Sequence, residues 1–212
     1  MTKLYFIRHG ESEANREKRF AGNYDVDLTE LGYRQAAHIP SAFAGVHIDA
    51  IFASDLKRAY QTAVPLAESR GMEIIKAPDF RELHAGAWEG ALFDEIMKKH
   101  SAAYAVWKTD IGRAVCTDGE SVAHLADRVL AAAEKIAQEY DGKTVVIATH
   151  ATPIRTLTTL WTAGDLSAMK DVPWVPNASV TRVCYADGRF ALEETGSTNH
   201  LDGLLTHLPA NV

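Results

Sequence analysis

Three short apolar runs each end abruptly in a polar cluster, and this arrangement constrains the fold more than any other feature of the chain. Thr144-Val145-Val146-Ile147-Ala148 runs into Thr149-His150, Leu4-Tyr5-Phe6-Ile7 into Arg8-His9-Gly10, and Ala50-Ile51-Phe52-Ala53 into Ser54-Asp55-Leu56-Lys57-Arg58. Runs this short and continuous, rich in β-branched and aromatic residues, read as strands buried on both faces. Segments of helical spacing separate them. Leu31, Gln35, Ala36, Ile39 and Phe43 recur through 28–43, with Thr29 as a cap and Pro40 expected to kink or divide the helix. A second helix is predicted over 55–70, N-capped by Ser54, bent at Pro65 and closed by Gly71, after which 72–76 returns as a strand. The stretch 121–140 is an amphipathic helix, and another is expected to start near Pro153 and continue through Trp161. Asp187-Gly188 between 180–185 and 190–193 is a hairpin signal. Within 88–119, Leu92, Ile96 and Met97 suggest one helix and Tyr104 and Trp107 another; the last dozen residues read as a weakly ordered extension.

Strands alternating with helices predict an α/β fold, a three-layer α/β/α sandwich with a mostly parallel sheet. The closing hairpin adds one antiparallel strand at or near the sheet edge. A chain of 212 residues, 47% apolar, fits one domain with a large core, and neither repeats nor a linker divide it. Its 22 Lys and Arg against 28 Asp and Glu leave a net charge of −6, which argues against binding nucleic acid along its phosphate backbone. Cys116 and Cys184 are too few for a disulfide scaffold and lack metal-ligand spacing. The opening apolar stretch is too short for a secretory leader, and no run of about 18 apolar residues offers a membrane span, so a cytoplasmic location is expected.

The three polar clusters all follow strands at their carboxyl ends, the edge of an open α/β sheet where ligands bind. Two arginines and two histidines gathered there would form a compact cationic pocket for an oxyanion, with phosphate the leading candidate. Each taken alone has a plainer reading: Arg8 as a solvated strand end, His9 and His150 as core histidines, Arg58 as a surface residue in a helical first turn. Their recurrence at one edge favours the pocket.

Arg8-His9-Gly10-Glu11-Ser12 with Asn15 resembles the signature of the histidine phosphatase superfamily, the branch containing cofactor-dependent phosphoglycerate mutases and many small phosphatases. Leu28-Thr29 with Gly32 and Gln35, Ser54-Asp55-Leu56 with Arg58 and Thr62, and Glu82-Leu83 with Gly86-Trp88-Glu89-Gly90 match later blocks in order. Gly119-Glu120-Ser121, 146–150, Arg155 and Asn177 extend the match over nearly the whole chain. The resemblance implies one catalytic domain over 1–212, with a variable cap or insertion at about 91–118. It makes His9 the nucleophile that forms a phosphohistidine, and it assigns Arg8, Arg58 and His150 to the phosphoryl oxygens. Two-step transfer through a neutral imidazole agrees with the chemistry of the residues themselves. No metal is needed when the pocket carries its own positive charge, and no cofactor is implied.

The residues alone do not choose between Glu82 and Glu89 as general acid. The family pattern selects Glu82, leaving Glu89 as a structural partner of the Trp88–Gly90 turn. Asn15 is expected to add a neutral donor, Ala151 a backbone N–H, and Ser12, Asn23 and Thr29 are candidate substrate contacts. Arg81 reads as a surface ion-pair residue, and Phe93, Tyr104 and Trp107 as candidate pocket walls. One departure stands out: Ala151-Thr152-Pro153 follows His150 where a glycine-rich sequence is more usual, so Thr152 brings a hydroxyl of open role.

The resemblance also implies that glycolytic mutases of the family carry a longer insertion with basic residues after the block matched by Trp88-Glu89-Gly90. The short span 91–118, with charges of both signs, therefore favours a metal-independent phosphomonoester hydrolase acting on a small phosphorylated metabolite. A cofactor-dependent phosphoglycerate mutase and a non-catalytic phosphate-binding or scaffold protein are the alternatives. No nucleic acid or membrane partner is expected, and a homodimer is left open.

Overall fold

The computed structural model describes residues 1–206. Six strands form one sheet in the order β3-β2-β4-β1-β5-β6, with β1 Thr2–Arg8, β2 Ala50–Ala53, β3 Ile74–Lys76, β4 Thr144–Thr149, β5 Val180–Ala186 and β6 Arg189–Ser197. The β3-β2-β4-β1 ladders are parallel, whereas β5 pairs antiparallel with both β1 and β6. Thus β5 alone runs against the other strands, and it lies next to the edge. Asp187 and Gly188 both take positive φ, the conformation that a two-residue hairpin turn matched to strand twist requires.

The central strands are buried on both sides, and their alternation sorts side chains into two cores. Leu4, Phe6, Val145 and Ile147 face one layer; Tyr5, Ile7, Val146 and Ala148 face the other. The first core is completed by α6 (Val122–Glu139) and α7 (Ala151–Ala163), through Val129, Ile136, Ile154 and Leu157. The second is completed by α2 (Glu30–Ala42) and α3 (Lys57–Arg70), through Ile39, Ala63 and Leu66. Short helices α1 (Glu13–Glu17), α4 (Phe93–Lys99) and α5 (Ser101–Thr109) lie beyond the carboxyl end of the sheet or in the 91–118 span.

Three local expectations change. Helix α2 runs undivided through Pro40, which sits in its last turns where few amide bonds remain to be lost. Helix α3 starts at Lys57 with Leu56, which has no polar side-chain atom to cap it, while the expected cap Ser54 lies two residues earlier against His150. Helix α7 begins at Ala151, two residues before Pro153, so His150 is itself the cap residue. The described part of the C-terminal extension is packed: Leu201 is buried, and Gln35 Nε2 donates to the Leu204 carbonyl at 2.9 Å and to Thr206 Oγ1 at 3.0 Å. The remainder of the expected extension, 207–212, lies outside the described residues.

Strand register carries the chemistry to one edge. Ile7 and Ala53 both stand opposite Ala148, so β1, β2 and β4 finish level. The ladder bonding continues one step beyond the strands, with His9 N–H donating to the Thr149 carbonyl at 3.0 Å and Ser54 N–H to that of Ala148 at 2.9 Å. The loop after β1 packs directly on the first turn of α2. A Cβ at Gly10 would fall 2.7 Å from the Gly32 carbonyl oxygen, and one at Gly32 would collide with the Glu11 carbonyl oxygen. Gly32→Ala is therefore expected to cost about 1–3 kcal/mol of stability through overpacking. Urea denaturation of the variant beside the wild type measures the loss, and an unchanged midpoint would contradict the packing described.

Candidate active site

His9 sits at the end of β1, nearly excluded from water. Its Nδ1 lies 2.7 Å from the Gly10 carbonyl, and a carbonyl only accepts, so Nδ1 carries the proton and Nε2 keeps its lone pair. Burial, then the charges of Arg58 and Arg8, hold the imidazole pKa well below its ordinary value. The ring is thus neutral, oriented and nucleophilic at Nε2 near neutral pH. Gly10 is fixed in turn: its N–H donates to Thr62 Oγ1 at 2.9 Å, and that hydroxyl donates to the Arg58 carbonyl at 2.7 Å. One threonine on α3 thereby registers the His9 loop against the helix that carries Arg58.

Arg8 and Arg58 are 2% and 0% exposed. Arg8 Nη1 donates to the Val175 carbonyl at 2.6 Å, while Arg58 Nη2 and Nη1 donate to the carbonyls of Gly22 at 2.7 Å and Tyr24 at 3.1 Å. Burial lowers both guanidinium pKa values to about 10, and both groups remain charged at neutral pH. His150 lies beside His9, ring centroids 5.2 Å apart. Ser54 Oγ lies 2.8 Å from His150 Nε2 and also accepts the Leu56 N–H at 3.4 Å, so it anchors the ring. Burial, then Arg58 and His9, lower the His150 pKa well below its ordinary value.

Arg8 Nε and Arg58 Nε are buried donors, and His150 Nδ1 a buried ring nitrogen, with no hydrogen-bond partner among the described residues. Leaving such a group unsatisfied costs about 1–3 kcal/mol, and an anion with several acceptor oxygens relieves that cost. Positive charge and orphaned donors gathered around one unprotonated imidazole nitrogen suit a phosphoryl group. Among the described residues there is no cluster of three or more His, Cys, Asp or Glu side chains arranged to hold a metal.

Glu82 borders the same pocket, of about 60 Å³, together with His9, Arg8, Arg58, Asn15 and Thr152. Its Oε1 accepts the Leu83 N–H at 2.7 Å and its Oε2 the Thr152 N–H at 3.3 Å. Arg128 on α6 fastens the segment behind it, donating to the carbonyls of Asp79 at 2.7 Å, Arg81 at 2.9 Å and Glu82 at 3.0 Å. Glu120 balances Arg128 through both carboxylate oxygens, at 2.8 and 2.9 Å. Burial raises the Glu120 pKa, but hydrogen bonds from Arg128 and the His84 N–H outweigh it and hold the carboxyl below its ordinary value. Sequence reasoning singled out Glu120 and missed Arg128. No sequence signal marks it, because most of its bonds go to main-chain carbonyls, which every residue possesses.

The remaining predicted residues divide. Ala151 lines the pocket, and Phe93 and Trp107 form part of its wall with Phe20 and Trp174. Asn15 lines it too, with its Oδ1 accepting from Asn177 Nδ2 at 3.2 Å, a group that also donates to the His9 carbonyl at 3.0 Å. Ser12, Thr29 and Asn23 are not brought to the pocket. Ser12 caps α1; Thr29 caps α2 and donates to Glu11 Oε1 at 2.7 Å; Asn23 borders a separate surface cavity with His84 and His124. Tyr104 is also displaced, packing on Trp88 and lining a cavity between α4 and α5. Arg81 pairs with Asp55 through both ends of its fork, at 2.7 and 2.5 Å. Glu89 Oε1 accepts the N–H groups of Asn23 and Ala85, both at 3.1 Å, a structural role.

Fold and site together define an α/β enzyme built to move a phosphoryl group through a histidine. The family profile of the histidine phosphatase superfamily, branch 1, matches residues 4–198. Phosphoserine phosphatase 1 of Hydrogenobacter thermophilus is 32% identical over 201 residues, covering 95% of each chain. The metal-independent phosphoserine phosphatase of Arabidopsis thaliana is 31% identical over 211 residues, 96% of this chain and 85% of that one. The solved structure of YhfR from Bacillus stearothermophilus superposes with a TM-score of 0.90 at 30% identity, over 95% of this chain and all (100%) of that one. The chain belongs to the histidine phosphatase superfamily.

Two outcomes test this geometry. His9 and His150 have folded pKa values below the unfolded value of about 6.5, so on acidification the unfolded chain takes up protons that the folded one refuses. Stability is therefore lost as pH falls below about 6.5, by about 1.4 kcal/mol per pH unit for each histidine. Urea denaturation at pH 7 and pH 5.5 should show a steeper loss in wild type than in a His9→Asn, His150→Asn variant. Arg128→Ala leaves Glu120 buried without its counter-charge and should cost about 3–5 kcal/mol, read from thermal or urea unfolding.

Proposed function

We propose that this protein hydrolyses phosphate monoesters in two steps through a phosphohistidine on His9. The observation that carries the reading is the His9 ring: neutral, its Nδ1 proton fixed on the Gly10 carbonyl, its Nε2 beside two buried guanidinium groups. In the first step the Nε2 lone pair attacks phosphorus, the bond to the leaving oxygen breaks, and the Glu82 carboxylic acid protonates the departing alkoxide. In the second, water attacks phosphorus, Glu82 accepts its proton, and the P–N bond breaks to release phosphate and restore Nε2. Arg8, Arg58 and His150 hold the equatorial oxygens through both steps and stabilise the charge in transfer.

The pocket admits a small leaving group, and Arg19 at its margin offers a cation to an acidic one. Arg19 is fixed through Nε on Glu17 at 2.7 Å and Nη1 on the Gly90 carbonyl at 2.8 Å. Phosphorylated hydroxy or amino acids fit this combination, and phosphoserine, named for two of the relatives, is the first substrate to assay. Among the described residues no helix is long and apolar enough to cross a membrane. Both cysteines are unpaired and buried, which supports a reducing, cytoplasmic setting.

Rapid quench with a ³²P-labelled monoester should trap an acid-labile, base-stable adduct on His9, absent in His9→Ala. Glu82→Gln should lower kcat/KM about 10²- to 10⁴-fold for an alkyl phosphate and far less for p-nitrophenyl phosphate, whose leaving group departs without a proton. An adduct on another residue would refute the nucleophile, and equal losses on both substrates would refute the acid.

A further inference from the structure

The departure after His150 places a side chain where it meets the reaction. Thr152 is the second residue of α7, 3% exposed, and borders the pocket with His9, Arg58 and Glu82. Its N–H holds Glu82 Oε2, so the residue stands against the carboxylate oxygen that Leu83 leaves free. The hydroxyls of the helix differ in use: that of Thr158 is sealed in the core without a partner, whereas Thr152 borders the pocket. Thr159 and Thr162 turn theirs back to carbonyls four residues earlier, Arg155 at 2.7 Å and Thr158 at 2.8 Å. For Thr152 the residue four back is Ala148 in β4, whose carbonyl already accepts the Ser54 N–H. Among the described residues no group takes the Thr152 hydroxyl.

We infer that Thr152 is a further catalytic residue, whose hydroxyl shares with Glu82 the oxygen site opposite His9 on the phosphoryl group. The inference rests on the two-step reading above. In-line displacement puts the leaving oxygen and, later, the attacking water at this same apical position. A hydroxyl both donates and accepts, so one group serves both steps. In the first it donates to the departing oxygen while Glu82 delivers the proton. In the second it accepts one water O–H while Glu82 accepts the other, which turns a water lone pair toward phosphorus. The second water proton stays on oxygen and leaves with phosphate; Thr152 orients and transfers no proton. A glycine at this position would leave the water held by the carboxylate alone.

The test separates the half-reactions in the full-length enzyme, using p-nitrophenyl phosphate, whose departure needs no help. Thr152→Val keeps the shape and removes the hydroxyl. The nitrophenolate burst should persist, showing a folded and phosphorylatable site, while breakdown of the His9 adduct slows about tenfold, the worth of one neutral hydrogen bond. Phosphoenzyme then accumulates at steady state, and Thr152→Ser restores most of the lost rate. Wild-type adduct decay in Thr152→Val, or equal slowing in the serine variant, overturns the role of the hydroxyl while leaving the two-step reading intact. Absence of any His9 adduct in the wild type overturns both.

Discussion

Positive charge stripped of water is the constraint on which the rest of this structure depends. Arg8 and Arg58 are buried at the carboxyl end of the sheet with two imidazoles beside them, and Glu82 is the acid that borders the same pocket. Burying a guanidinium is costly unless its donors are met. The chain meets three of them with main-chain carbonyls from Val175, Gly22 and Tyr24. Those carbonyls come from loops remote in sequence, so the phosphate site also ties the chain's irregular segments together. Burial, reinforced by the same field, keeps His9 and His150 unprotonated.

The organisation around that constraint is hierarchical. Register levels three strand ends, and Thr62 then locks the loop after β1 to α3, so His9 and Arg58 are placed by one hydrogen-bond chain. Glu82 is placed differently: it stands on an irregular segment, and Arg128 supplies from α6 the rigidity that a strand would otherwise give. A carboxylate on such a segment can be held by a few directed bonds without a second sheet element. The balance between Arg128 and Glu120 makes this arrangement internally neutral, so it adds little to the charge that the substrate meets.

Much of this was legible in the residues. Continuous apolar runs identified the central strands because burial on both faces leaves no alternation to confuse with a helix, and the polar clusters after them marked the edge where His9, Arg58 and His150 converge. Helix starts were less legible. Ser54 has the composition of a cap but spends its hydroxyl on His150, and Pro153 stands two residues inside a helix that His150 caps. Ser12 and Thr29 show the opposite case: polar residues beside a catalytic motif whose hydroxyls serve helix termini. A sequence lists hydroxyls without saying which backbone groups compete for them, and that competition is tertiary. Arg128 escaped notice for a related reason, since its partners are mostly carbonyls, which every residue possesses.

Gln35 gives this architecture a reach beyond the pocket. Its carbonyl oxygen accepts the Glu11 N–H at 2.8 Å, two residues past His9, while its amide nitrogen holds Leu204 and Thr206. A single buried amide thus spans from the catalytic loop to the far end of the described chain. His200 adds a second strap, contacting the Ala178 carbonyl at 2.9 Å, and the Ala178 N–H in turn holds the His9 carbonyl. The consequence is that the tail is part of the catalytic loop's scaffold. Changes that disturb 199–206 would be felt at His9, whereas the start of β1, where Met1 meets Asp141 beyond the opposite ends of the strands, is insulated from that loop.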